Sequence, residues 1–263
     1  MRLLMIRHGD PDYVHDCLTE RGRREAEVLA EHFAKFDPQI DAIYVSPLGR
    51  AQETASYTLR RLGKEAQTLG WLREFSAQLD ANGSKLLPRL YPDVKQNEDG
   101  TYKPRIVWDM TPGVWAALPD YEDYLDPRAW RRTEVARRSD MAERCDEVCG
   151  GLDALLARHG YERRGHIYAT SRGNDLTLAL FCHFGVTAVM LSHLWNQSPF
   201  SLLQYMAAVP TAVTELFTEE RSKGAVIWRM RRFGDFSHLT QAGIEPSFSA
   251  RFASVYEHED ERH

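Results

Sequence analysis

Residues 2–6 (RLLMI) form a short apolar run that stops at Arg7-His8-Gly9-Asp10-Pro11. A run of this length, ended by glycine and proline, predicts a strand buried on both faces that empties into a loop. From Leu18 the period changes. Thr19 can cap a helix in which Ala26, Leu29, Ala30 and Phe33 share one face, and Asp37-Pro38 ends it. A second strand is predicted over 41–45, followed by Ser46-Pro47-Leu48-Gly49-Arg50 and a helix over 51–61 that stops near Gly63. Farther along, a helix is expected from Glu134 to His159, strands over 166–170 and 177–182, and a helix over 186–195. Two late strands, 213–218 and 225–231, suit an antiparallel edge. Strands alternating with helices specify an α/β fold, a three-layer sandwich whose mainly parallel central sheet is flanked by helices.

The stretch 76–130 breaks this rhythm. It carries half of the 12 prolines, three of the six tryptophans and the polar tract Lys95-Gln96-Asn97-Glu98-Asp99-Gly100. A structureless loop of that size does not fit a compact domain. The segment is therefore expected to be a cap of short helices and aromatic-rich turns, inserted in a single domain spanning 1–263. Trp108, Trp115 and Trp130 are expected to pack this cap rather than to cage a ligand. A cap over the sheet edge is a natural place for substrate selection.

Composition narrows the partners. The net charge is −5, so no global basic field exists to hold a nucleic acid, and any anion must be met locally. Of the 33 basic residues only six are lysines, a skew that suits planar recognition of anions by arginine. No apolar run approaches the ~18 residues of a membrane span, and no secretory signal pattern precedes the first strand, so a soluble, cytoplasmic protein is expected. Cys17, Cys145, Cys149 and Cys182 show no zinc-type pairing, and Cys145 and Cys149 read as neighbours on one helix. Oligomeric state leaves no signal.

Two of the predicted strands end in a histidine, at Ile6-Arg7-His8 and at Phe181-Cys182-His183. In open α/β sheets ligands bind outside the carboxyl ends of the strands, where both imidazoles would fall. The loop after the second strand delivers Arg50 to the start of a helix, whose free N–H groups add partial positive charge. Arg7, Arg50, His8 and His183 can therefore converge although they are distant in sequence. Such a cluster suits a phosphate dianion better than a metal, because guanidinium cannot ligate a cation. A competing metal site could be sketched from His15 with Asp10, Asp12 and Asp16, but no second histidine pair at ligand spacing supports it. His238, in a late loop, is expected to be structural or peripheral.

Arg7-His8-Gly9 after the first strand resembles the signature of the histidine phosphatase superfamily, which contains the phosphoglycerate mutases. Four further segments agree in order. Leu18-Thr19-Glu20-Arg21-Gly22 resembles the family's L-T-x-x-G helix opening, and Ser46 to Ala55 resembles its S-x-x-x-R-A-x-x-T-A segment. Leu72-Arg73-Glu74 resembles the segment carrying its acid, and Cys182-His183-Phe184-Gly185 its second-histidine motif. The likeness covers about 1–75 and 165–240. There are departures. Phe184 stands where the family has the first of two glycines, and Asp10-Pro11-Asp12-Tyr13 replaces its usual polar loop. Phe75-Ser76-Ala77-Gln78 lacks the basic-aromatic stretch of glycolytic mutases, which argues against that activity.

The resemblance implies a phosphoric monoester hydrolase that needs no metal or cofactor and acts on a small phosphorylated metabolite. It implies that His8 is the nucleophile, forming a phosphohistidine, with Arg7, Arg50 and His183 around the transferring group. Neutral His8 must then carry its proton on the nitrogen that does not attack, fixed there by an acceptor. Glu74 is the expected proton donor, which requires partial burial; Asp10, Asp12 and Asp109 rank below it. At an effective dielectric near 20 a charge pair at about 4 Å gains about 4 kcal/mol, whereas monoester hydrolysis can demand roughly 20 kcal/mol or more, so several cations are needed. A phosphomutase with the same site, a metal-dependent hydrolase and a non-catalytic phospholigand-binding protein are the alternatives.

Overall fold

The computed structural model describes residues 1–37, 39–247, 249 and 255–258. Pro38, expected to end the first helix, lies outside the described residues. The chain divides into two compact units. The first comprises Met1–Glu74, Gly160–Thr187 and Ala207–His263, and the second Phe75–His159 and Ala188–Met206.

The first unit is built on one eight-stranded sheet. Its strands are β1 (Arg2–Arg7), β2 (Ala42–Val45), β3 (Ala66–Thr68), β4 (Glu162–Arg164), β5 (Ile167–Ala169), β6 (Thr177–Cys182), β7 (Val213–Ser222) and β8 (Ala225–Asp235). The spatial order is β3-β2-β6-β1-β7-β8-β5-β4. Pairing is parallel from β3 to β1 and antiparallel from β1 through β7, β8 and β5 to β4. The two late strands are antiparallel as expected, but the hairpin of β4 and β5 lies outside them, so they are interior strands of the sheet. The expected α/β architecture is present: a mixed sheet, parallel at its core, flanked by helices.

Helices α1 (Glu20–Phe36) and α2 (Gly49–Leu62) cover the parallel half. Thr19 caps α1, its hydroxyl accepting from the Gly22 N–H at 3.0 Å, and Gly63 ends α2 in the left-handed region at φ +63°. Leu29 and Phe33 from α1 and Ala51 and Ala55 from α2 pack with Leu4, Ile6, Ile43, Val45, Ala179 and Phe181 of the sheet. These side chains are four residues apart on each helix and two apart on each strand, the periods that let both elements bury one face.

In the second unit the predicted helix over 134–159 is two helices, Glu134–Arg137 and α3 (Met141–Arg158). The break has a cause in pairing. Ser139 bridges Leu79, the Asp140 carboxylate accepts from the Gln78 N–H at 2.6 Å, and Asp140 also holds Arg144 at 2.5 Å. Hydrogen bonds to a neighbouring segment here replace the intrahelical ladder. Residues 76–130 form short helices, Leu87–Leu90, Pro112–Trp115 and Tyr121–Leu125, joined by turns. Trp115 and Trp130 are buried, Trp115 against Tyr124 and Trp130 against Phe200. A helix over Pro199–Tyr205, capped by Ser198, was not expected. Among the described residues no helix is long and apolar enough to cross a membrane.

Candidate active site

Three neighbouring parallel strands, β2, β6 and β1, end side by side. Val45 pairs with Phe181, and Arg7 with Cys182. The ladder runs one step farther on each side: the His8 N–H donates to the Cys182 carbonyl at 3.0 Å and the Ser46 N–H to the Phe181 carbonyl at 2.9 Å. Register therefore sets His8 level with His183 and Ser46 level with Cys182, one step earlier, all at the carboxyl edge. The His8 and His183 rings lie with centroids 5.0 Å apart. Arg7 ends β1, and Arg50 enters from the first turn of α2.

Both histidines are buried. Burial and the neighbouring Arg7 charge hold the His8 pKa well below 6.5, with Arg50 adding to the effect. His183 is held well below 6.5 by burial first, then by His8, Arg50 and Arg7. Each is thus a neutral imidazole at neutral pH. His8 Nδ1 lies 2.7 Å from the Gly9 carbonyl oxygen. A carbonyl only accepts, so Nδ1 carries the proton and Nε2 keeps its lone pair.

The cations are held at one end and open at another. Arg7 donates from Nη1 to the Ala208 carbonyl and from Nη2 to the Ser249 carbonyl at 3.5 Å. Arg50 is 8% exposed, and its Nη1 donates to Asp16 Oδ1 at 2.6 Å. The other Asp16 oxygen accepts from the Gly49 N–H at 2.6 Å, which ties the loop to the start of α2. Gly49 is required there, because a Cβ would sit 2.2 Å from the Asp16 carbonyl oxygen. Tyr13, 62% exposed, places its ring 5.3 Å from the Arg50 guanidinium and edge-on to His8 at 6.5 Å. Arg7 Nε, Arg50 Nε and His183 Nδ1 are buried, and no hydrogen-bond partner reaches them among the described residues. An unsatisfied buried N–H costs about 1–3 kcal/mol, so the two guanidinium Nε–H groups and the unpartnered His183 nitrogen suit a socket for an oxyanion.

Glu74 closes the first unit's opening segment. It is half-buried, and its Oε1 accepts from the Val186 N–H at 3.3 Å, in the first turn of α4 (Phe184–Trp195), the helix that follows His183. All five predicted site residues, Arg7, His8, Arg50, Glu74 and His183, belong to the first unit. Asp109 lies in the second. The acidic residues of the sketched metal site turn to separate partners. Asp12 binds His15 at 2.7 Å, Asp10 accepts from Thr19 and from Ser249 at 2.6 Å each, and Asp16 holds Arg50. His238 is buried in a short helix, Ser237–Gln241, and bonds Thr211 Oγ1 at 2.9 Å; the Thr211 N–H in turn donates to the His8 carbonyl. Sequence reasoning gave no individual role to Ser46, Tyr13 or Thr54, and it placed Asp16 in the sketched metal site rather than on Arg50. Thr54 Oγ1 accepts from the Gly9 N–H at 2.9 Å, and its position four residues after Arg50 on α2 is the periodic signal that could have found it.

Comparisons with known proteins bear on the fold and the family. Residues 3–97 match the model of the histidine phosphatase superfamily (branch 1). Among solved structures, phosphoserine phosphatase from Entamoeba histolytica, in complex with 3-phosphoglyceric acid, superposes with a TM-score of 0.53 at 16% identity, over 90% of this chain and 98% of that one. A mycobacterial glucosyl-3-phosphoglycerate phosphatase in complex with inorganic phosphate gives 0.52 at 21% identity, over 90% and 98%. At these identities the likeness is one of fold. No curated protein matches the chain. The matched residues 3–97 carry Arg7, His8, Arg50 and Glu74, so over this stretch the chain is similar to the histidine phosphatase superfamily.

Proposed function

We propose that the protein is a phosphomonoesterase that works through a phosphohistidine on His8 and acts on a small phosphorylated metabolite. The observation that carries this reading is the bare His8 Nε2 together with the buried Arg7 Nε, Arg50 Nε and His183 Nδ1, which no acceptor reaches among the described residues. In the first step Nε2 attacks phosphorus and the bond to the leaving oxygen breaks. Arg7, Arg50 and His183 compensate the charge on the equatorial oxygens, which is most of what phosphoryl transfer asks of a protein. Glu74 gives its proton to the leaving oxygen, then takes one from the water that cleaves the N–P bond and releases inorganic phosphate. Its half-buried position beside the helix that follows His183 supports that assignment. The relatives named for phosphoserine and for glucosyl-3-phosphoglycerate support a small, hydrophilic phosphomonoester as substrate class.

The test is release of inorganic phosphate from p-nitrophenyl phosphate and from a panel of sugar, amino-acid and glycerate phosphates. The wild type should turn over with a chelator present, and His8→Ala should lose at least ~1,000-fold in kcat, as expected when a covalent nucleophile is removed. Equal turnover by both proteins would refute the mechanism. An isomeric phosphoester in place of inorganic phosphate would make the protein a mutase.

A further inference from the structure

Ser46 follows β2 and takes no part in the mechanism above. Its side chain is fully buried, and so is that of His183. Ser46 Oγ lies 2.8 Å from His183 Nε2 and accepts from the Leu48 N–H at 3.2 Å. A hydroxyl carries a single hydrogen, and this one is shut away from water. Among the described residues the acceptor it can reach is His183 Nε2.

We infer that Ser46 is a positioning residue that sets the tautomer of His183: Oγ–H donates to Nε2, so the neutral ring keeps its proton on Nδ1 and offers Nδ1–H to a phosphoryl oxygen. The opposite tautomer compounds two faults. With Nε2–H donating, the Ser46 hydroxyl hydrogen would have no acceptor, and His183 Nδ1 would be a bare lone pair facing an anion. With Nε2 accepting, one group is left over, the Nδ1–H, and it is the nitrogen found buried without a partner among the described residues. Both backbones are fixed by the ladder between β2 and β6, so the pair does not depend on a mobile loop. His8 and His183 then work as complements. The Gly9 carbonyl puts the proton of His8 on Nδ1 to bare a nucleophile, and the Ser46 hydroxyl puts that of His183 on Nδ1 to present a donor.

The tautomer stands on geometry alone, and only the identity of its acceptor rests on the proposed phosphatase reading. Long-range proton–nitrogen correlation spectra of histidine-labelled protein at neutral pH should show His183 protonated at Nδ1. Protonation at Nε2 in the wild type overturns the inference, whatever the activity. In Ser46→Ala the Nδ1–H population should fall, and kcat should drop about 10–100-fold with KM moved less than about threefold, by analogy with the loss of a partner that orients a metal-bound histidine. Ser46→Thr, which keeps a donor hydroxyl, should recover both signals. A Ser46→Ala protein with an unchanged His183 spectrum and unchanged kcat also overturns it. If the wild type hydrolyses no phosphomonoester, the phosphatase reading fails, and the spectra still decide the tautomer.

Discussion

A single imidazole shows how position writes chemistry at this edge. His8 would be an unremarked base on the surface, half-protonated near pH 6.5. Buried beside Arg7 and Arg50 it cannot take a proton without placing a third positive charge among them, and its pKa falls well below 6.5. The neutral form therefore prevails at pH 6.5 and above and is lost only as the pH drops below that value. Nitrogen-detected titration of the free protein should therefore find His8 and His183 neutral at pH 6.5. Saturating inorganic phosphate should move the His8 midpoint upward, because a dianion offsets the two guanidiniums. A midpoint at or above 6.5 without phosphate would show that the cations are not where the structure places them. His8, His183, Arg7 and Arg50 were legible because each ends a strand or opens a helix inside a motif. Asp16 was not, since its partner Arg50 lies 34 residues away and a lone carboxylate in a loop announces no partner.

Elements were legible where a period is strong and failed where pairing overrules it. Helix α1 declared itself by its capping Thr19 and its apolar stripe, and β1 and β6 by short apolar runs that end abruptly. The break after Arg137 was not legible, because Asp140 leaves its helix to bond a strand some sixty residues earlier, which no local pattern encodes. The same coupling explains why α1 starts where it does. Its first turn is pressed against the loop that leaves His8, and a Cβ at Gly22 would come within 2.2 Å of the Asp10 carbonyl oxygen and 2.8 Å of the Asp10 nitrogen. Both are backbone atoms, so neither can swing aside. Gly22→Ala should cost about 1–3 kcal/mol by forced overpacking, even though alanine is the better helix former. It should also lower kcat, because the displaced loop carries His8. Urea unfolding and a p-nitrophenyl phosphate assay check both, and a variant as stable and as active as the wild type would mean that the contact is loose.

At the scale of the whole molecule, the net charge of −5 says little about the site, because charges are matched locally and unevenly. Glu215, fully buried in β7, gathers Arg2, Arg231 and Arg232, whereas the carboxyl edge keeps its arginines only partly matched. Glu25 of α1 is also buried, accepts from the Asp10 N–H at 2.8 Å and lies 3.4 Å from Arg21. Burial dominates and pushes its pKa from 4.5 up to about 7. Between those values the folded protein holds a proton that the unfolded chain has lost, so this group makes stability fall as the pH rises, by about 3 kcal/mol across the window. His238 acts in the opposite sense. Burial brings its pKa from 6.5 down to about 4, so the unfolded chain binds the extra proton there and stability rises with pH. His8 and His183, lowered as well, add to that rise. The two trends offset each other in the wild type, but the histidines are common to both proteins when wild type is compared with Glu25→Gln. The amide keeps an oxygen for the Asp10 N–H and cannot ionise. At pH 4.5 the variant should therefore match the wild type closely, and by pH 8 it should be more stable by up to about 3 kcal/mol. Urea midpoints at pH 4.5, 6 and 8 test this, and a difference that does not grow with pH, or one that grows in favour of the wild type, contradicts the assignment of a protonated carboxyl to Glu25.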